Sequence, residues 1–83
     1  MKKLNKTQEQ IISTLKIETE SEYVQNPYSG KRVLLEPKAV ALYDFIKGCE
    51  ILQGTKLFRL KEFDQARYAF QMLWPDEYMT LLD

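Results

Sequence analysis

Histidine is absent from the chain. That removes Ser-His-Asp and Cys-His nucleophilic mechanisms, the HExxH metal site and the Cys₂His₂ finger in one step. A single cysteine, Cys49, has no partner for an internal disulfide, which fits a reducing cytosol. Net charge is missing too. Twelve Lys and Arg balance twelve Asp and Glu, so the surplus of cations on which nucleic-acid and anionic-membrane binders rely does not exist. No apolar run approaches the ~20 residues needed to cross a bilayer, and no signal peptide is expected. Glycine and proline number only three each, and no low-complexity tract or flexible linker interrupts the 83 residues. What is present is a chain 45% hydrophobic and 12% aromatic. That length predicts one globular domain, residues 1–83, burying roughly 64% of the surface its extended form exposes.

Local patterns predict an α+β fold with one β-hairpin and three to four helices. Thr7 and Gln10 have capping-box spacing, and Ile11, Ile12 and Leu15 follow on one helical face, which predicts a helix over about Thr7–Lys16. Alternation then takes over. Ile17, Thr19, Ser21 and Tyr23 interleave with Glu18, Glu20 and Glu22, the period-two signature of a strand. The run Asn26-Pro27-Tyr28-Ser29-Gly30 is a turn, and Arg32-Val33-Leu34-Leu35 offers the return strand. A longer first helix followed by a structured loop is the competing reading of this stretch. Pro37 opens a helix through Gln53 that is apolar on nearly every side and so belongs at the centre, with Gly54 at its C′ position. Leu60, Phe63, Ala66, Phe70 and Leu73 define an amphipathic helix that Pro75 ends. Tyr78, Met79, Leu81 and Leu82 form a last short turn folded back on the core.

The chemistry-bearing residues are sparse, and each has a plain structural explanation beside the functional one. Gly30, Lys31 and Arg32 end a turn but lack the spacing of a phosphate-binding loop. Glu18, Glu20 and Glu22 would share one strand face, alternate Cβ atoms about 7 Å apart. Such a row could engage a cation or a basic partner, or it could be a solvated surface partly neutralised by Lys31 and Arg32 across the hairpin. It lacks the loop spacing of a hard-cation site, so no metal and no cofactor is expected. Cys49 has no base to activate it and reads as a small buried hydrophobe. Asp44, Glu50, Glu62 and Asp64 could supply catalytic carboxylates, yet nothing in the sequence places two of them in one cleft, and helix-surface charge explains all four.

Aromatic residues stand out. Most occupy core positions, but Tyr28 lies at a turn tip and Tyr68 and Trp74 flank the polar side of the third helix. With Tyr78 they suit a protein-facing patch anchored by aromatics, and a capped-off core is the alternative. The negative charge around Trp74-Pro75-Asp76-Glu77-Tyr78 disfavours base stacking.

Two stretches together carry a resemblance. Asn26-Pro27-Tyr28-Ser29-Gly30 with the segment from Leu35 through Gly48, and the ending from Trp74 through Asp83, resemble small uncharacterised proteins encoded by bacteriophages. The resemblance implies a setting, a phage gene acting in the cytoplasm of a bacterial host or packed with its particle. It implies no catalytic residue and no cofactor.

The expectation from residues and resemblance together is a non-enzymatic interaction module, an inhibitor or adaptor that binds a host or phage protein or a second copy of itself. Its surface would be drawn from Tyr28, Tyr68, Trp74, Tyr78, Glu18, Glu20 and Glu22, and no membrane association is expected. The alternative is a small nucleic-acid binder using Lys2, Lys3, Lys6, Lys31 and Arg32.

Overall fold

The computed structural model describes residues 3–17 and 20–82. In chain order the elements are α1 (Lys6–Thr14), β1 (Glu22–Gln25), β2 (Arg32–Leu35), α2 (Pro37–Leu52), α3 (Leu60–Leu73) and α4 (Pro75–Leu81). The fold is α+β, with helices packed around one antiparallel hairpin. Among the described residues, no helix is long and apolar enough to cross a membrane.

Helix α1 is capped two residues earlier than the sequence spacing suggests. Its N-cap is Asn5, not Thr7. Asn5 Oδ1 accepts from Gln8 N at 2.8 Å and Gln8 Oε1 accepts from Asn5 N at 2.9 Å, a capping box of the expected kind in a different frame. Tertiary contact chooses the frame. Asn5 Nδ2 donates to Gln65 Oε1 at 2.7 Å, and Gln8 Nε2 donates to the Gln65 carbonyl at 3.3 Å. Gln8 is thereby buried with its polar atoms satisfied. The helix stops at Thr14, where the Ser13 and Thr14 hydroxyls donate to the carbonyls of Gln10 and Ile11. Such local bonds compete with helix continuation.

The hairpin is shorter than the alternation predicts. Glu22, Tyr23, Val24 and Gln25 pair with Leu35, Leu34, Val33 and Arg32 respectively. Leu35 is fully buried, and Val24 and Val33 are half-buried beside it, so the inward face is Glu22, Val24, Val33 and Leu35. Tyr23 and Leu34 face out. This reverses the expected faces, in which Tyr23 shared the apolar side and Glu22 the solvent side. The cause is register: the Asn26–Lys31 turn fixes the pairing, and burying Leu35 then carries Val24 inward with it.

Central to the fold is α2. Pro37 occupies its first turn, and Ala39, Val40, Leu42, Tyr43 and Ile46 are buried. It ends at Leu52, and Gly54 follows with φ of +89°, a left-handed conformation that suits glycine. Against it lies α3 through Phe63, Ala66, Ala69 and Phe70. The two alanines are essentially inaccessible, so the helix backbone comes close to its neighbours there. Leu60 and Leu73, expected on this buried stripe, are exposed instead, because each stands at a helix end beyond the core. The largest fully buried side chains are Leu35, Leu42, Ile46 and Phe70, one from the hairpin and three from α2 and α3. Helix α4 turns at Trp74 and packs on α3 and β2.

Candidate protein-binding surface

The turn between β1 and β2 is braced at nearly every residue. Asn26 N donates to the Lys31 carbonyl at 2.8 Å, and Gly30 N donates to the Asn26 carbonyl at 2.9 Å. Asn26 Oδ1 accepts from Tyr28 N at 2.8 Å and from Ser29 N at 3.3 Å. Ser29 Oγ accepts from Lys31 N at 3.2 Å, and Gln25 Nε2 donates to the Gly30 carbonyl at 3.2 Å. Gly30 sits at φ +77°, open to glycine without strain. Finally Asn26 Nδ2 donates to the Thr80 carbonyl at 2.8 Å, satisfying one of the end carbonyls of α4 and tying the turn to the body of the protein.

This frame holds Tyr28 almost wholly in water, at 97% exposure. The backbone beneath this large amphipathic ring has little conformational freedom left to lose when a partner covers it. Around the same hairpin, Tyr23 and Leu34 are cross-strand neighbours on the outward face, both exposed. The Arg32 guanidinium lies over the Tyr23 ring at 5.9 Å.

The other expected anchors divide. Tyr68 is exposed on α3. Trp74 is half-buried, its ring 5.3 Å from that of Phe70, at the corner where α3 ends and α4 begins. Tyr78 is half-buried too, and its hydroxyl accepts from Arg67 Nη2 at 3.2 Å. Both pack against the core, so their rings serve the α3–α4 corner first. The carboxylate row does not assemble on β1. Glu22 alone lies on the strand, Glu20 precedes it, and Glu18 falls outside the described residues.

The cations of the nucleic-acid reading are held by separate elements. Lys3 and Lys6 flank Asn5, which is tied to Gln65 of α3; Lys31 and Arg32 follow the turn tied to Thr80 of α4. Lys2 falls outside the described residues.

Cys49 is half-buried on α2, and its thiol is pushed above the ordinary range, first by burial and then by the nearby Glu62 carboxylate. That suppresses the thiolate a nucleophile requires. Of the four carboxylates considered for catalysis, Glu50 pairs with Lys47 at 3.1 Å and Glu62 with Arg59 at 3.5 Å, while Asp44 is exposed and Asp64 half-buried. An open cleft of about 210 Å³ runs between Thr7, Gln10, Ile11 and Thr14 on one side and Phe45 and Glu62 on the other. It is smaller than the sites that enclose drug-sized ligands. No cluster of three or more Cys, Asp or Glu with metal-holding geometry occurs among the described residues.

A second set of exposed apolar side chains escaped the sequence reading. Ile51, Leu57 and Leu60 surround the α2–α3 connection, and Met79 lies outward on α4. In a helix as apolar as α2, periodicity does not separate an outward Ile51 from an inward Ile46. Only the end of the packing partner does.

Comparison with protein-family models, with curated proteins and with solved structures returned no significant match.

Proposed function

We propose that this chain is a non-enzymatic protein-binding module, phage-encoded and acting in the cytoplasm of a bacterial host as an inhibitor or adaptor. The observation that carries the reading is Tyr28: a tyrosine almost entirely exposed on a turn fixed by hydrogen bonds within the loop and by one to α4. Tyrosine is a favoured hot-spot residue, and a rigid presentation reduces the entropy lost on association. Tyr23 and Leu34 extend the apolar area along the same hairpin, and Tyr68 adds a separate exposed ring on α3. The phage setting rests on the resemblance of the turn, the segment from Leu35 through Gly48 and the C-terminal segment to phage-encoded proteins.

The test is a tagged pull-down from nuclease-treated bacterial lysate, with mass spectrometry of what co-purifies and a parallel arm without nuclease. A host protein recovered in stoichiometric amount supports the reading. Recovery of nucleic acid alone in the untreated arm would overturn it in favour of a cation-mediated binder, and a salt-sensitive affinity would then be expected.

A further inference from the structure

Among the described residues, no strand pairs with the outer edge of β1. In the two-stranded sheet β1 pairs with β2 alone, and α2 and α4 approach the sheet from β2. Hydrogen-bond phase shows which main-chain groups are left over. Asn26 N donates to the Lys31 carbonyl and the Asn26 carbonyl accepts from Gly30 N, so residue 26 points its backbone toward the partner strand. In an antiparallel pair this orientation alternates. Val24 and Glu22 therefore bond inward to β2, while the N–H and C=O groups of Tyr23 and Gln25 point to the free edge.

On the inward face beside that edge the exposed charge is negative, and the neighbouring cation, Arg32, lies over Tyr23 on the outward face. From Glu20 to Gln25 the sequence carries Glu20 and Glu22 and no Lys or Arg. Glu20 and Glu22 are exposed, and neither makes an ion pair among the described residues. Two copies paired edge to edge would bring two acidic segments together, which disfavours self-association by this route.

We propose that β1 accepts an extended basic segment of a partner protein as a third, antiparallel strand. The proposal rests on the protein-binding reading above and specifies its mode. Tyr23 and Gln25 supply the main-chain donors and acceptors. Along the added strand, an apolar residue lies opposite Val24 and a Lys or Arg two positions later lies opposite Glu22, both on the inward side of the sheet. The exposed Tyr23 ring flanks the added strand on the outward side.

The probe is the peptide acetyl-Thr-Val-Thr-Lys-Thr-Lys-amide, titrated into the ¹⁵N-labelled full chain and followed by NMR. The expected result is saturable shifts centred on the Tyr23 and Gln25 amides, absent with acetyl-Thr-Val-Thr-Glu-Thr-Glu-amide. Glu22→Gln should weaken the basic peptide by about two- to fivefold, as for a cross-strand charge pair. Gln25→Pro removes an outward N–H, which an edge strand tolerates, and with it the exposed side-chain bond to Gly30 that Gln25→Ala also lacks, so the hairpin stays folded while peptide binding is lost. Gln25→Ala, which keeps that N–H, should still bind. Equal binding of the two peptides, shifts away from β1, or no binding up to the solubility limit would overturn the proposal. The wider reading fails separately. A lysate partner retained by Gln25→Pro and lost by Tyr28→Ala leaves protein binding in place and removes the edge-strand mode.

Discussion

Asn26 is the residue on which the presentation of Tyr28 depends, and Asn26→Ala measures how much. The substitution deletes two acceptor contacts, from Tyr28 N at 2.8 Å and Ser29 N at 3.3 Å, and one donor contact to the Thr80 carbonyl at 2.8 Å. The turn contacts are exposed and contribute about 0.5 kcal/mol each, while the partly buried bond to Thr80 contributes about 1 kcal/mol. The sum is about 2 kcal/mol. A domain of this length has a total stability of roughly 4–12 kcal/mol, so the loss is a sizeable fraction. It should lower Tm by about 8–16 °C. Urea denaturation followed by circular dichroism gives the free energy, and amide exchange locates it. Asn26→Asp separates the two contributions. A carboxylate still accepts from Tyr28 N and Ser29 N but cannot donate to Thr80, and its charge faces the negative end of α4. Asn26→Asp should thus keep the turn amides protected while losing stability at α4, whereas Asn26→Ala loses both. If Asn26→Ala falls within about 0.5 kcal/mol of the parent, the turn is not braced as described and the argument for a preorganised Tyr28 fails.

The other glycines and the core predict opposite signs. Gly48→Ala should stabilise by about 0.5–1 kcal/mol, since Gly48 lies inside α2 with open space where a Cβ would stand. Gly30→Ala should destabilise by about 1 kcal/mol, because φ is +77° even though the added carbon meets Gln25 Nε2 at an ordinary 3.7 Å. Thermal melts of the two variants check both signs. Trp74→Ala should cost about 2–3 kcal/mol of folding free energy, as expected for a half-buried ring packed on Phe70, so equilibrium unfolding must accompany any binding assay of that variant. Cys49 should react with a thiol-specific reagent more slowly than free glutathione at neutral pH. Because the folded thiol titrates above its unfolded value, its contribution to stability is complete at neutral pH. That contribution is lost as pH rises from the ordinary thiol range through the raised folded value. A denaturation series toward alkaline pH, parent against Cys49→Ser, reads that loss.

Elements whose signals are local could be read directly from the residues. Pro37, Gly54, Pro75 and the Asn26–Gly30 turn mark their boundaries by backbone chemistry that no distant contact overrides. Other features depended on long-range contact. The Asn5 cap wins over Thr7 because Gln65, sixty residues away along the chain, holds Asn5 and Gln8 from α3. The Glu alternation suggested a long strand, but strand length is set by the partner, and β2 supplies only Arg32 to Leu35. Register then chose the inward face through Leu35. On the candidate surface, Tyr28 was identifiable because a turn tip has nothing to pack against. Trp74 and Tyr78 carry the same residue chemistry, yet the fold spends their rings on the α3–α4 corner.

The most direct measurement is capture from bacterial lysate by the parent chain and by Tyr28→Ala in parallel, after both are shown to melt together. At 97% exposure the ring has almost nothing to lose in the free protein, so Tyr28→Ala should leave Tm unchanged. Loss of a hot-spot tyrosine weakens association by about 2 kcal/mol or more, roughly thirtyfold in affinity. The account predicts a stoichiometric protein partner retained by the parent and depleted with Tyr28→Ala. Equal recovery of that partner by both chains would contradict it.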